Sequence, residues 1–200
     1  MELKVEKNIM KKKYLFIILS IFSIVFSNAQ TENDKIKSTF YKYRKLIEQK
    51  NYDKAFDYYH KSFLKYVPKK NLEKEFVKLD NDPNFTFFVN NSKLISISRI
   101  INYDSIKYTI IKYGAYTHIK FKLNASIDSV KKIKKYFKQL YGENYSYLEE
   151  NNEIVTYKEQ ELIGINDDNS WHFIIFKDKI KPYLHIWIPK TVLEKLLLLR

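Results

Sequence analysis

Apolar residues recur at helical spacing in the first part of the chain. Ile36, Phe40, Tyr43 and Ile47 fall four, three and four apart, which predicts a helix over 31–50 with one apolar stripe. Asn51 breaks that pattern and can cap a second helix, in which Tyr52, Ala55, Phe56 and Tyr59 follow at i, i+3, i+4 and i+7. Pro68 and Asn71 open a third, short helix carrying Leu72, Phe76 and Leu79. The cluster Asp80-Asn81-Asp82-Pro83-Asn84 then reads as a turn.

Beyond it the period changes. Residues 85–89, 94–101, 106–113 and 116–123 are rich in β-branched and aromatic side chains and predict four strands. The last alternates, with Ile119, Phe121 and Leu123 on one face and His118, Lys120 and Lys122 on the other. Asn90-Asn91, Asn102 and Gly114 sit where turns are needed, which favours antiparallel pairing. Ser126 caps a helix running to Tyr141 and closed by Gly142. Val130, Ile133, Phe137, Leu140 and Tyr141 form its apolar face; Lys131, Lys134, Lys135 and Lys138 group opposite, the usual solvated arrangement. Further strands are expected over 145–148, 154–165, 171–176 and 183–188, with Pro189 ending the sheet and a helix over 191–199. Helices first and a mostly antiparallel sheet afterwards predict an α+β fold. Its N-terminal helices pack on a curved, cone-like sheet, and an additional amphipathic helix and a short C-terminal helix complete it. No repeat or composition break divides residues 30–200, so a single domain is expected there.

The start of the chain reads as an address. Lys11-Lys12-Lys13 precedes an uncharged stretch from Tyr14 to Phe26, and Ser27-Asn28-Ala29 places small residues before Gln30. This is the layout of a signal peptide over 1–29, cleaved between Ala29 and Gln30. The apolar run is short of the about 17–25 residues that a spanning helix requires. Met10, directly before the lysines, is the expected true start. The product is exported, periplasmic or extracellular, with no transmembrane span after cleavage.

Composition narrows the partners. The 200 residues carry a formal net charge of +13, with no cysteine. Loss of five lysines and two glutamates with the leader lowers this to +10. Without cysteine there is no disulfide scaffold, thiolate metal site, cysteine nucleophile or cysteine-linked lipid. The basic residues are lysines apart from Arg44, Arg99 and Arg200. Arginine dominates phosphate and base recognition, so a nucleic-acid partner is not expected, and export argues the same way. An abundance of Lys, Asn, Ile, Tyr and Phe matches A/T-rich codons and accounts for the charge without an anionic partner.

Candidate chemistry is sparse. No G-x-G, G-K-[ST] or G-x-S-x-G run occurs. His60, His118, His172 and His185 share no H-x-x-x-H or H-x-H spacing, so no metal site, cofactor or catalytic residue is expected. Asp53 and Asp57 fall on polar helix faces. On the expected strand 183–188, Tyr183, His185 and Trp187 alternate with Leu184, Ile186 and Ile188. One face must be core; the other, with His118 and Trp171, supplies the candidate ligand-binding residues, since Trp and Tyr suit half-wet sites. Asp104-Ser105-Ile106 and Asp128-Ser129-Val130 are short patterns of the kind used for O-glycosylation in some Gram-negative envelopes.

Six groups of residues carry a resemblance: Ile36-x-x-x-Phe40-Tyr41, Asn51-Tyr52-Asp53-Lys54-Ala55, Phe63-Leu64, Leu140-Tyr141-Gly142, Trp171-x-Phe173-Ile174, and Ile188-Pro189-x-x-Val192-Leu193. In these the chain resembles the nuclear transport factor 2-like, or cystatin-like, superfamily in its small secreted bacterial branch. The resemblance implies helices on the concave face of a twisted sheet, with a cavity between them. Together with the lack of a catalytic constellation, the resemblance points to an envelope module that binds a small molecule or an envelope protein without catalysing a reaction. The superfamily hosts enzymes too, so an isomerase- or dehydratase-like use of the same cavity is the alternative. A cationic surface protein that adheres to anionic lipid or polysaccharide is a third reading.

Overall fold

The computed structural model describes residues 31–199. The chain divides into two compact units, Met1–Ser38 and Thr39–Arg200. Of the first, the described part, residues 31–38, is helical. The expected leader and its cleavage point at Ala29 and Gln30 lie outside the described residues.

The second unit is α+β, with helices preceding a six-stranded antiparallel sheet that is curved and not closed. Helix α1 covers residues 31–48, and its Phe40, Tyr43 and Ile47 are buried as the stripe predicts. Helix α2 is Tyr52–Phe56, and the Asn51 side chain accepts from the Lys54 N–H at its start. A short helix that the pattern does not show, α3 (Lys61–Tyr66), is capped by His60. Helix α4 (Lys69–Asp80) follows.

Strands β1 (Phe85–Ile97), β2 (Ile101–Tyr103) and β3 (Ile106–Phe121) come next. Three expected turns are absent here, and Asn102 is the middle residue of β2, opposite Lys107. Asn90-Asn91 does not end a strand: β1 runs through it as a bulge, with register shifts at Asn90/Lys93 and Leu94/Ser96 and Asn91 at φ +53°. Gly114 is likewise mid-strand, paired with Lys93 on one side and Glu159 on the other. Its lack of a side chain serves close approach, because a Cβ there would collide with the Tyr157 ring. The hairpin turn falls instead at Asp104–Ser105, both with positive φ.

Helix α5 (Ile127–Tyr141) starts where Ser126 accepts from the Ser129 N–H and stops at Gly142, φ +53°. Strands β4 (Tyr145–Leu148), β5 (Glu153–Asn166) and β6 (Trp171–Phe176) complete the sheet in the order β1-β3-β5-β4, with β2 also on β3 and β6 also on β5. β4 pairs with Glu153–Thr156 of β5, and β6 with Glu161–Asn166. Residues 157–160 between them pair only with β3, leaving a gap along that side of the sheet.

The far side of β6 is occupied by the α2–α3 connection. His60 N–H donates to the Phe173 carbonyl at 2.9 Å, and Phe173 N–H donates to that of Tyr58 at 2.8 Å. This single parallel bridge, Tyr59 to Phe173, blunts an edge that would otherwise offer free backbone groups.

The expected strand 183–188 is overturned. Lys181–Ile186 is a 3₁₀ helix. Pro182 has no N–H for a ladder, and the available edge of β6 is already taken. Pro189 accordingly precedes helix α6 (Lys190–Leu198) and does not end a strand. α6 lies against β2 and β3, with Val192 and Leu196 buried.

Candidate functional site

Alternation along the strands decides which side chains share a face. From β1, Phe85, Phe87 and Val89 point to one side; their partners on β3 are Phe121, Ile119 and Thr117. Farther along β3, Tyr113 pairs with Gln160 of β5, and Leu162 of β5 pairs with Ile175 of β6. Lys177 directly follows β6 and borders the same space as Gln160. This face and the helices enclose a cavity of about 410 Å³. α1 contributes Tyr43, Arg44 and Ile47, α4 contributes Leu72, Phe76 and Leu79, and α5 contributes Tyr136, Phe137 and Tyr141. None of the α4 residues is buried: Phe76 packs on Tyr52 and Phe56, and with Leu72 and Leu79 it also borders the cavity.

The two ends of the cavity differ. At one, Phe85 and Ile119 join Phe121 and Ile154 in a buried cluster, with Phe87, Val130, Ile133 and Phe137 packed against it. At the other stand Arg44, Tyr43, Tyr59, Tyr113 and Lys177. Arg44 is 5% exposed and lies over the Tyr113 ring at 5.0 Å and the Tyr43 ring at 5.7 Å. Its Nε donates to Ser92 Oγ at 2.9 Å. Its terminal amino groups have no hydrogen-bond partner among the described residues. Glu48, one turn along α1, meets the same residue and accepts from the Ser92 N–H at 3.0 Å.

Tyr43 and Tyr59 share a hydrogen bond of 3.0 Å. Burial pushes the Tyr59 hydroxyl well up from its ordinary value, and Tyr43 adds to the effect. Burial also raises Tyr113, with the Arg44 charge opposing. Both phenols therefore stay protonated and can donate. Lys177 is at the rim, exposed to solvent on one side and crowded by protein on the other. That crowding lowers its pKa, helped by the charges of Lys158 and Arg44. Glu161 borders the cavity, but it pairs with Lys112 in register, so its side chain belongs to the opposite face.

None of the five residues expected to bind a ligand lines this cavity. His118 lies on the outer face of β3, stacked on Phe88 at 4.4 Å. Its Nδ1 is 2.6 Å from Glu153 Oε1, and its Nε2 is 3.0 Å from Asn90 Oδ1. This is a structural bridge between β1, β3 and β5. His118→Ala is expected to cost about 1–3 kcal/mol by orphaning a buried carboxylate, as read by urea denaturation. A loss below about 0.5 kcal/mol would contradict a structural role. Trp171 is buried at the start of β6, near Gly164. With 183–188 helical, the expected alternation of Tyr183, His185 and Trp187 disappears. Tyr183 and His185 are exposed, and Trp187 packs edge-on to Phe63 at 5.3 Å and Tyr66 at 6.0 Å.

A signal for the cavity was present in the sequence at one position. Arg44 is four residues from Phe40 and three from Ile47, within the apolar stripe, and it is an arginine in a chain of lysines. Lys177 carries no such mark.

A second constellation surrounds the bridge at β6. His60 is buried, which lowers its pKa, with Asp167 opposing. Its Nε2 donates to Asp167 Oδ2 at 3.3 Å, and Lys61 Nζ lies 2.6 Å from the same oxygen. Burial opposes ionisation of Asp167, but the hydrogen bonds from Lys61 and His60 outweigh it and hold the carboxyl below its ordinary range. Asp167, Asp168 and His172 bring ligand-type atoms within 4.8 Å of one another, a grouping made by the turn before β6 and not by a sequence motif. Lys61 pairs with Asp167 Oδ2, while Asp167 Oδ1 and His172 Nδ1 are buried without a hydrogen-bond partner among the described residues. Asp53 and Asp57 are exposed as expected, both paired with Lys69 at 2.6 Å. Ser105 is exposed at the β2–β3 turn.

Comparison of the chain with family models, curated proteins and solved structures finds no match. No described helix is long and apolar enough to cross a membrane.

Proposed function

We propose that this chain is a non-enzymatic module that binds a small molecule in the cavity between its helices and sheet. The observation that carries the reading is the cavity itself. At about 410 Å³ it falls in the range of small-molecule sites, and it joins a mostly apolar wall to a few convergent polar groups. The resemblance to the nuclear transport factor 2-like superfamily supports the same reading, since helices on a curved sheet are the arrangement it implies. Binding is favoured over proton transfer because the described lining holds no histidine, and its one carboxylate, Glu161, is on the other face. The layout of Lys11 to Ala29 supports action outside the cytoplasm, in the periplasm or beyond the cell.

Filling the cavity tests this. Thr117 is half-buried at mid-cavity, and Thr117→Trp would occupy the space. The wild-type protein should bind the neutral apolar dye N-phenylnaphthylamine with a rise in fluorescence and in Tm; at about 100 times Kd the stabilisation is about 2.7 kcal/mol. Thr117→Trp should keep its circular dichroism and lose the dye response. Equal dye binding by both proteins would overturn the reading.

A further inference from the structure

We propose that the cavity takes a single-chain fatty acid, its carboxylate held between Arg44 and Lys177 and its tail directed toward Phe87 and Ile119. This rests on the binding-module reading and adds the class of ligand.

The first argument is the state of Arg44. It is almost fully buried, it uses only Nε on a protein partner among the described residues, and its remaining donors are in a cavity wall. Those donors reach the open space of the cavity, where an acceptor can complete them. A carboxylate matches the planar fork with two parallel hydrogen bonds.

The second is the sign of the charge. Arg44 and Lys177 border the same end of the cavity, and Lys158, on the Gln160 face of β5 by alternation, stands nearby. Their mutual repulsion is what an anion relieves. The carboxylates of Glu159 and Glu161 project from the opposite face with Lys112. The Tyr43–Tyr59 pair consumes one phenolic proton internally and leaves the other free to donate.

The third is length and gradient. From Tyr113 to Ile119 is six residues of extended strand, about 20 Å. Over that span the lining passes from cations and phenols, through Thr117, to Phe85, Phe87, Ile119 and Phe137. A head and a long apolar tail are the ligand shape that such a wall fits.

The test compares matched probes on the full chain stripped of lipid. Laurate and palmitate are titrated against their fatty alcohols and fatty amines by displacement of N-phenylnaphthylamine. The acids should bind at least about tenfold more tightly than the alcohols, and the amines more weakly than either. Lys177→Gln, at the exposed rim, should lower acid affinity by about threefold to tenfold and leave the alcohols unchanged. Arg44→Met should remove the preference for the acid, and retained alcohol binding will show that this variant still folds. Acid and alcohol affinities that are equal in the wild type, or an acid preference that survives Lys177→Gln and a folded Arg44→Met, would overturn the fatty-acid inference while leaving a binding module. If neither acids, alcohols nor the dye bind, the cavity reading fails as well.

Discussion

Phe173→Ala should lower the free energy of unfolding by about 3–5 kcal/mol, the range for truncating a fully buried aromatic. Phe173 has no exposed surface and packs against Tyr43 with ring centres 5.5 Å apart. Its backbone also carries both hydrogen bonds that hold the Tyr58–His60 segment to β6. The side chain therefore anchors the helices to the sheet at the point where the sheet edge is protected. Urea denaturation with two probes, tryptophan fluorescence and far-ultraviolet circular dichroism, measures the loss. Phe88→Ala is the control, because Phe88 is only half-buried and stacks outside the core on His118. A cost below about 1 kcal/mol at Phe173, or one equal to that at Phe88, would contradict this anchoring role.

Alkaline solution should unfold the protein within a few pH units above pH 10. Tyr52, Tyr59 and Tyr113 are all buried, and burial raises the pKa of each above the ordinary value of 10.0; at Tyr52 the Asp80 carboxylate adds to it. The sign follows from proton counting. Above pH 10 the unfolded chain releases these protons and the folded chain keeps them, so the folded state binds more protons and stability falls as pH rises. Each tyrosine contributes a slope of about 1.4 kcal/mol per pH unit, so three give about 4. The contribution is fully present below pH 10. Lys177 acts in the opposite direction, because its folded pKa is lowered, but its effect ends once the unfolded lysine titrates at 10.5. A domain of ordinary stability, about 5–15 kcal/mol, is exhausted within a few pH units of such a slope. Phenolate absorbance and circular dichroism should change together in the alkaline range. Tyr113→Phe should reduce the slope by about 1.4 kcal/mol per pH unit. Phenolate formation by every tyrosine with the fold intact would refute the assignment.

The helical half of the fold was legible because burial there is one-sided. Phe40, Tyr43 and Ile47 keep a 3.6-residue period, and Asn51, Ser126 and Gly142 mark their helix ends with local hydrogen bonds or backbone conformation. Strand residues were legible as strands, but their ends were not. Asn90-Asn91 and Gly114 have turn chemistry, yet each is overruled by pairing to a neighbour far along the chain. Residues 183–188 alternate like a strand and lack an edge to join, a fact held in the Tyr59–Phe173 bridge. Tyr183, His185 and Trp187 owed their place to the alternation, and His118 to its polar face, whereas the cavity is defined by which residues of five different segments share a face. Arg44 alone broke a local pattern, as a charge within an apolar stripe.

The bridge between Tyr59 and Phe173 also orders events in time. The segment that covers the edge of β6 is synthesised more than a hundred residues before the strand it covers. Tyr43, which packs on Phe173, lacks that partner until β6 exists. Loops this long close slowly, and closure here precedes any gain from the Phe173 contacts. The edge of β6 is thus sealed only after most of the chain has been made, by a segment that was among the first to emerge.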